Sequence, residues 1–254
     1  MNVVRRWIQL LEHRRLRTVR RRLGSILRFL DEYRVARPCA WPQVLVGAFA
    51  LVASAWAFGE IAEDVVAREA LTIFDEKLAK WLHVHATPPL TRVMLFATEL
   101  GDQVVVTMVT LAAAVFFAWT RRWQWLLALA LVVPGGAILN ELMKLAFQRA
   151  RPKFDNPMLT LTSYSFPSGH TMAATLLYGF LAIFIFHLLQ AWRWRVFAVL
   201  VVSSLVSVIG LSRMYLGAHY LSDVLAAVAA GVVWIVLCLS ALETLRYRRA
   251  RRRR

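Results

Sequence analysis

The sequence predicts an all-α protein, a bundle of six membrane-spanning helices, and three observations support this class. Hydrophobic residues make up 59% of the 254 residues, which is more than a soluble domain of this size usually carries. Basic residues are concentrated in short connections and at both ends. Apolar stretches long enough to cross a bilayer lie at roughly 41–59, 103–120, 123–143, 170–190, 194–212 and 221–242.

The chain divides by composition into three parts. Residues 1–38 are basic and amphipathic, residues 39–242 carry the six spans, and residues 243–254 form an arginine-rich tail. The first part predicts a helix lying on the membrane surface. A helix packed on the cytoplasmic ends of the bundle fits the same pattern.

The segment between the first two spans is acidic and amphipathic. Residues 60–100 combine Glu60, Glu63, Asp64, Glu69, Asp75 and Glu76 with spaced apolar residues. This pattern predicts amphipathic helices on the outer side of the membrane, interrupted at Pro88-Pro89.

The formal net charge of +16 is distributed so that it predicts an orientation. The amino-terminal segment, Arg121-Arg122, Arg193 with Arg195, and the tail share one side if the six spans alternate. The positive-inside rule makes that side cytoplasmic, with both termini there. Next to spans, basic ends are expected to bind anionic lipid rather than nucleic acid. The connections 60–102, 144–169 and 213–220 then face outward.

A first group of polar residues lies at the outward end of the third span. Lys144 and Arg151 are seven residues apart, close to two helical turns, so one helix face can present both charges, with Pro152 helping to end the helix. Glu141 lies one turn before the lysine and is expected to support it. Cations that anchor the span at the headgroups are the alternative.

A second group precedes the fourth span. The sequence Ser165-Phe166-Pro167-Ser168-Gly169-His170 places small residues at a helix start, where free N–H groups and the helix dipole favour phosphate. His170 is suited to donating a proton. Alternatively, Ser168 is only an N-cap and His170 an interfacial side chain.

A third group connects the fifth and sixth spans, from Ser212-Arg213 to Asp223. His219 and Asp223 are four residues apart, so on a helix the carboxylate can accept a hydrogen bond from the imidazole. The other ring nitrogen is then free to act as a nucleophile. A purely structural histidine–aspartate pair is the alternative.

His83 and His85 are a weak metal candidate, because two histidines in an amphipathic segment are more often solvent-facing.

Together these segments resemble the type 2 phosphatidic acid phosphatase superfamily. Its signature is K-x-x-x-x-x-x-R-P, then P-S-G-H, then S-R-x-x-x-x-x-H-x-x-x-D, and every defining position is matched in order. The resemblance covers roughly residues 95–240. It implies a catalytic set of His219 as nucleophile, Asp223 as its orienting partner and His170 as proton donor. It also implies a phosphate-binding set of Lys144, Arg151, Ser168, Gly169 and Arg213, with no metal and no cofactor.

The resemblance implies a lipid phosphatase. Compact size and heavy use of arginine indicate a bacterial protein, and the charge distribution then predicts an inner-membrane location with the active site facing the periplasm. Undecaprenyl diphosphate is the substrate it suggests first. Phosphatidylglycerophosphate, phosphatidic acid and lipid A phosphates remain alternatives, as does phosphoryl transfer to a second lipid. A catalytically silent membrane scaffold or transporter is the non-enzymatic alternative. Oligomeric state is left open.

Overall fold

The computed structural model describes residues 41–252, except residues 156 and 160. The expected amphipathic segment at 1–38 therefore lies outside the described residues. The chain divides into two compact units, residues 1–49 and residues 50–254. Of the first unit, the described residues 41–49 are helical.

The described residues form eight helices and no strands, which confirms the predicted all-α class. In chain order these are α1 (Trp41–Ala67), α2 (Ala70–Val84), α3 (Pro88–Glu99), α4 (Gln103–Trp119), α5 (Trp123–Phe147), α6 (Gly169–Leu188), α7 (Trp192–Tyr215) and α8 (Leu221–Arg252).

The prediction of six spans is also confirmed for this part of the chain. The stretches long and apolar enough to cross a membrane are Val44–Ala67, Pro88–Trp119, Trp123–Phe147, Gly169–Leu188, Trp192–Tyr215 and Leu221–Arg249. The second stretch begins earlier than the sequence indicated, because α3 and α4 together form it. Pro88 lies in the first turn of α3, where a proline fits a helix without losing a hydrogen bond.

Helix α6 lies at the centre of the second unit and packs against α5, α7 and α8. Its Leu176, Leu177 and Phe180 are fully buried. Small residues allow these helices to approach closely. A Cβ on Gly136 of α5 would lie 2.3 Å from Leu176 Cδ1, so this glycine sets the distance between α5 and α6.

One end of this unit collects the carboxyl ends of α5 and α7 and the amino ends of α6 and α8. The N–H of Ser168, just before α6, donates to the carbonyl of Asp223 in α8 at 3.1 Å. Helix α3 is attached at the same end, because the N–H of Thr87 donates to the Tyr215 hydroxyl at 2.9 Å. All three sequence motifs lie at this end.

Candidate active site

Helix α5 ends at Phe147 and does not extend to Arg151 as the sequence predicted. Gln148 adopts a left-handed conformation with φ of 46°, and its N–H donates to the carbonyl of Lys144. The chain therefore leaves the helix after Phe147. The expectation that one helix face presents both Lys144 and Arg151 is wrong, because a left-handed residue at this position redirects the backbone.

Lys144 is buried at the end of α5, with only 9% of the residue exposed. Its Nζ lies 2.8 Å from Glu141 Oε1, the contact expected from the sequence. A Cβ on Gly169 would lie 3.4 Å from the same Nζ. The glycine therefore leaves room for the ammonium group to approach the start of α6.

Arg151 is held by the backbone around the site. Its Nε donates to the Ser163 carbonyl at 2.7 Å, and its second terminal nitrogen contacts Ser163 Oγ and the Tyr164 carbonyl. The first terminal nitrogen donates to the Ala218 carbonyl at 2.7 Å and lies 3.1 Å from His219 Nε2. The guanidinium is thus fixed beside the imidazole by groups that a lysine could not engage together.

Arg213, at the end of α7, is a buried cation with few partners. It is 4% exposed, and one terminal nitrogen donates to Thr98 Oγ1 at 3.1 Å. Its Nε is fully buried and has no hydrogen-bond partner among the described residues. Buried guanidinium groups are normally paired, so this donor is suited to an anion.

The start of α6 has an uncapped first turn. Ser168 occupies the N-cap position, but its hydroxyl contacts Thr171 Oγ1 at 3.0 Å and caps no backbone N–H. This geometry differs from that of an ordinary serine cap. His170 follows in the first turn, within electrostatic reach of Lys144, Arg213 and His219.

His170 has an acidic neighbour that the sequence did not indicate. Asp102 caps α4 by accepting a hydrogen bond from the Val104 N–H at 2.8 Å. Its second oxygen lies 3.7 Å from His170 Nε2. The two side chains face each other at the amino ends of α4 and α6.

His219 lies just before α8, where it is buried. Its Nδ1 is 2.8 Å from the Ser165 carbonyl oxygen and 3.5 Å from Asp223 Oδ2. The contact with Asp223 that the sequence predicted is therefore longer than the contact with the Ser165 carbonyl. The predicted geometry assumed that both residues lie on one helix, whereas His219 precedes α8. Since a carbonyl can only accept, Nδ1 carries the proton and Nε2 presents a lone pair.

Burial keeps the His219 imidazole neutral. Burial, with the nearby guanidinium groups of Arg151 and Arg213, lowers the pKa of His219 to about 4, although Asp223 opposes the shift. An imidazole with this pKa is unprotonated near neutral pH. It therefore has the form that a nucleophile requires.

Asp223 is fully buried and is surrounded by donors. Its carboxylate accepts hydrogen bonds from Arg149 at 2.6 Å, from the Tyr220 N–H at 2.8 Å and from the Ser165 hydroxyl. The Tyr220 contact caps the start of α8. Asp223 thus fixes the turn that carries His219 as well as standing beside its ring.

Arg149 and Asp75 belong to the same network, and sequence reasoning assigned neither. Arg149 bridges two carboxylates, donating to Asp223 at 2.6 Å and to Asp75 Oδ2 at 2.9 Å. Burial opposes its charge, but the two carboxylates together raise the pKa of Arg149. Asp75 also accepts from the Ser222 N–H at 3.1 Å.

The two histidines considered for a metal have aromatic neighbours. His83 stacks on Phe154, with ring centroids 4.1 Å apart, and His85 stacks on Trp81 at 4.6 Å. The His85 ring also contacts the Trp81 carbonyl through Nδ1 at 2.8 Å. His83 therefore packs on the α5–α6 connection, and His85 packs on α2.

The structure brings the predicted site residues to one end of the bundle. The cations Lys144, Arg151 and Arg213 come from three different segments and approach the two histidines. Residues added by the structure are Asp75, Thr98, Asp102, Arg149 and the backbone of Ser165. Of these, Asp75 had a signal in the sequence, because it interrupts the helical stripe of Leu71, Leu78 and Leu82 in α2.

Comparisons with known proteins agree with this architecture. The family model described as the PAP2 superfamily matches residues 123–247. Phosphatidylglycerophosphatase B of Bacillus subtilis is 32% identical over 165 residues, covering 64% of this chain and 80% of the relative. Undecaprenyl-diphosphatase of Sulfolobus acidocaldarius is 30% identical over 167 residues, covering 64% of this chain and 75% of the relative.

Two solved structures are similar. A transmembrane PAP2 type phosphatidylglycerolphosphate phosphatase from Bacillus subtilis superposes with a TM-score of 0.70 at 28% identity, covering 77% of this chain and 97% of that chain. Aquifex aeolicus LpxE gives a TM-score of 0.53 at 20% identity, covering 66% of this chain and 95% of that chain, and shares the fold. Taken with the relatives and the bundle, these matches show that the chain belongs to the PAP2 superfamily and is a multi-pass membrane phosphatase.

Proposed function

We propose that this protein hydrolyses a lipid phosphate or diphosphate through a phosphohistidine on His219. The observation that carries the proposal is a buried, neutral imidazole beside two guanidinium groups, those of Arg151 and Arg213, that have no carboxylate contact among the described residues. Arg213 Nε is unpartnered within the described chain, and Arg151 lies 3.1 Å from His219 Nε2. A phosphate placed there gives both guanidinium groups an anion to bind.

The proposed reaction has two steps. In the first, His219 Nε2 forms a bond to phosphorus while the bond from phosphorus to the leaving oxygen breaks, and His170 gives that oxygen a proton. In the second, water gives a proton to His170 and attacks phosphorus, which breaks the nitrogen–phosphorus bond. Phosphate leaves and both histidines return to their starting forms.

The binding groups have separate tasks in this scheme. Lys144, Arg151 and Arg213 stabilise the negative charge on the transferring phosphoryl group. Ser168 Oγ and the backbone of Gly169 add neutral donors at the start of α6. Asp223 stabilises the positive charge that develops on His219 during attack.

The position of the site favours a lipid substrate. The cations lie where spans end, so a phosphate bound there is at headgroup depth and its chains lie beside the apolar helix faces. A water-soluble phosphate gains none of that apolar contact. We propose undecaprenyl diphosphate as the first substrate to test.

Phosphatidylglycerophosphate is a second candidate. It is favoured by the 32% identity to phosphatidylglycerophosphatase B and by the similar solved structure with a TM-score of 0.70. Both candidates place a phosphate or diphosphate group at the membrane surface.

Phosphate release by the purified protein in detergent tests the substrate class. The panel contains undecaprenyl diphosphate, phosphatidylglycerophosphate, phosphatidic acid, a lipid A phosphate and glucose 6-phosphate, in buffer containing EDTA because no metal is expected. We expect kcat/KM on at least one lipid to exceed that on glucose 6-phosphate by about a hundredfold or more. Equal efficiency on glucose 6-phosphate would contradict it.

The proposed orientation places the site in the periplasm and both termini in the cytoplasm of a bacterial inner membrane. Labelling of single cysteines tests this, after Cys39 and Cys238 are replaced by serine. Asp155→Cys is expected to react with an impermeant reagent in intact cells, and Arg122→Cys only after lysis. The reverse pattern would invert the orientation.

A further inference from the structure

Asp75 is a buried carboxylate far from the sequence motifs. It lies on α2, is 1% exposed, and falls outside the residues 123–247 that the family model matches. Its oxygens accept hydrogen bonds from Arg149 at 2.9 Å, from the Ser222 N–H at 3.1 Å and from the Ser222 hydroxyl. A carboxylate buried this completely needs such partners. Both partner residues are next to Asp223: Arg149 donates a hydrogen bond to it, and Ser222 precedes it in the chain.

Arg149 connects Asp75 to the catalytic carboxylate. One terminal nitrogen donates to Asp223 Oδ1 at 2.6 Å and to Ser222 Oγ at 2.6 Å, while the other binds Asp75. The guanidinium also lies over the Tyr220 ring, 4.4 Å from its centroid. Its plane is therefore fixed by two carboxylates and one aromatic face.

The network continues from Arg149 to the imidazole by a second route. The Arg149 carbonyl accepts the Ser165 N–H at 2.9 Å. The Ser165 carbonyl oxygen in turn accepts a hydrogen bond from the Nδ1–H of His219, with 2.8 Å between the two heavy atoms. Movement of Arg149 would thus displace both groups that face Nδ1, the Ser165 carbonyl and the Asp223 carboxylate.

We propose that Asp75 is a positioning residue for the phosphatase reaction and acts on His219 through Arg149. This inference rests on the proposed role of His219 as nucleophile. Asp75, Asp223 and Arg149 together carry one net negative charge. That charge complements the positive charge that His219 gains when it attacks phosphorus.

Removing Asp75 changes both the geometry and the charge. Arg149 would then pair with Asp223 alone, and the carboxylate would stabilise the imidazolium less. The other charged or titratable groups facing His219 are Arg151 from the α5–α6 connection, Arg213 from α7, His170 from α6 and Asp223 from α8. These groups are unchanged in Asp75→Asn. A shift in the acid limb of kcat/KM in that variant would therefore come from the hydrogen-bond network of Asp75 and Arg149.

The experiment compares Asp75→Asn with Glu76→Gln, a matched loss of one charge from the exposed neighbouring position on α2. In Asp75→Asn we expect kcat to fall about tenfold or more, because a hydrogen bond between charged groups is lost, with KM within about threefold of wild type. We also expect the acid limb of kcat/KM to move to lower pH by about half a unit, since loss of a negative charge disfavours the protonated imidazole. Glu76→Gln is expected to match wild type.

Arg149→Lys is a second variant that tests the same network without a change of charge. Arg149→Lys keeps the charge, but an ammonium does not span two carboxylates as a planar guanidinium does, so kcat is again expected to fall about tenfold or more. Gel filtration and thermal unfolding establish that each variant is folded. If Asp75→Asn does not fold, Arg149→Lys carries the test.

Wild-type kcat and an unmoved acid limb in either folded variant would overturn the positioning role. A loss of kcat with no change in the acid limb of Asp75→Asn would also overturn it, because that outcome indicates a merely structural carboxylate. Failure of the proposed function is distinguishable, since it would appear as activity in His219→Ala or as no lipid phosphatase activity in the wild type.

Discussion

The Nδ1 atom of His219 lies 2.8 Å from the backbone carbonyl oxygen of Ser165. This contact selects the tautomer that leaves Nε2 unprotonated, and it does so with a backbone group that no substitution at position 165 removes. Asp223 Oδ2 lies farther from the same nitrogen, at 3.5 Å. It contributes negative charge beside the ring, whereas the Ser165 carbonyl accepts the shorter hydrogen bond. Orientation and charge compensation of His219 are therefore divided between two residues.

This division predicts unequal effects for the two residues in the His219–Asp223 pair. His219→Ala removes the nucleophile and is expected to abolish turnover. Asp223→Asn is expected to lower kcat by about a hundredfold or more while leaving measurable activity, because the Ser165 carbonyl still holds the ring. Asp155→Asn, an exposed position, is the control for loss of one carboxylate. Near-normal turnover by purified His219→Ala would contradict the assignment.

Arg151→Lys is expected to lower kcat/KM by about tenfold or more. The guanidinium contacts the carbonyls of Ser163, Tyr164 and Ala218 as well as His219 Nε2, and a single ammonium group cannot occupy all of these directions. Phosphate release at several substrate concentrations measures the effect. Lys153→Arg is the matched control, and wild-type efficiency in Arg151→Lys would argue against a geometric role for the guanidinium.

Activity is expected to persist in moderately acidic solution. Because the pKa of His219 is lowered to about 4, the free nucleophile is present above that pH and is lost as the pH falls through it. The acid limb of log kcat/KM assigned to His219 should therefore lie below about pH 5. Two substrates whose phosphates ionise at different pH separate this limb from that of the substrate. A common limb near the ordinary histidine value would contradict the assignment.

Gly217→Ala is expected to destabilise the turn that carries His219. Gly217 has a φ of +72°, and a Cβ there would lie 2.8 Å from Phe154 Cε2. Backbone strain and this close contact predict a loss of about 1–3 kcal/mol, seen as a lower midpoint of thermal unfolding and reduced activity. Gly59→Ala is the control, because a Cβ there meets no atom within 4 Å. An unchanged midpoint would show that the turn relaxes without cost.

Spacing and span ends were sufficient to predict which motif residues meet. The helix ends carry Lys144, His170 and Arg213, and His219 lies in the turn between two of them. Alternating spans bring these ends to one side of a bundle. Arg151 lies beside His219, but it does not reach that place on a helix face shared with Lys144, as the sequence predicted. Its approach depends on the left-handed Gln148, and glutamine carries little signal for that conformation.

The supporting network was harder to predict, because its members are far apart in sequence. Arg149 lies between two motif cations and looks like one more interfacial charge. Asp75 lies in an acidic segment and would be assigned to solvent, unless its position on the apolar stripe of α2 is given weight. Which carboxylate accepts from Arg149 depends on how α2 packs against α8, and a single sequence does not contain that pairing.

The proposed reaction requires a phosphohistidine on His219, and trapping that intermediate tests the reaction. Purified protein is mixed with a lipid carrying a radiolabelled terminal phosphate and quenched in alkali during turnover, because nitrogen–phosphorus bonds survive alkali and are lost in acid. We expect label on the wild-type protein, located to His219 by peptide mapping, and none on His219→Ala. Turnover without any protein-bound label, or label located to another residue, would contradict it.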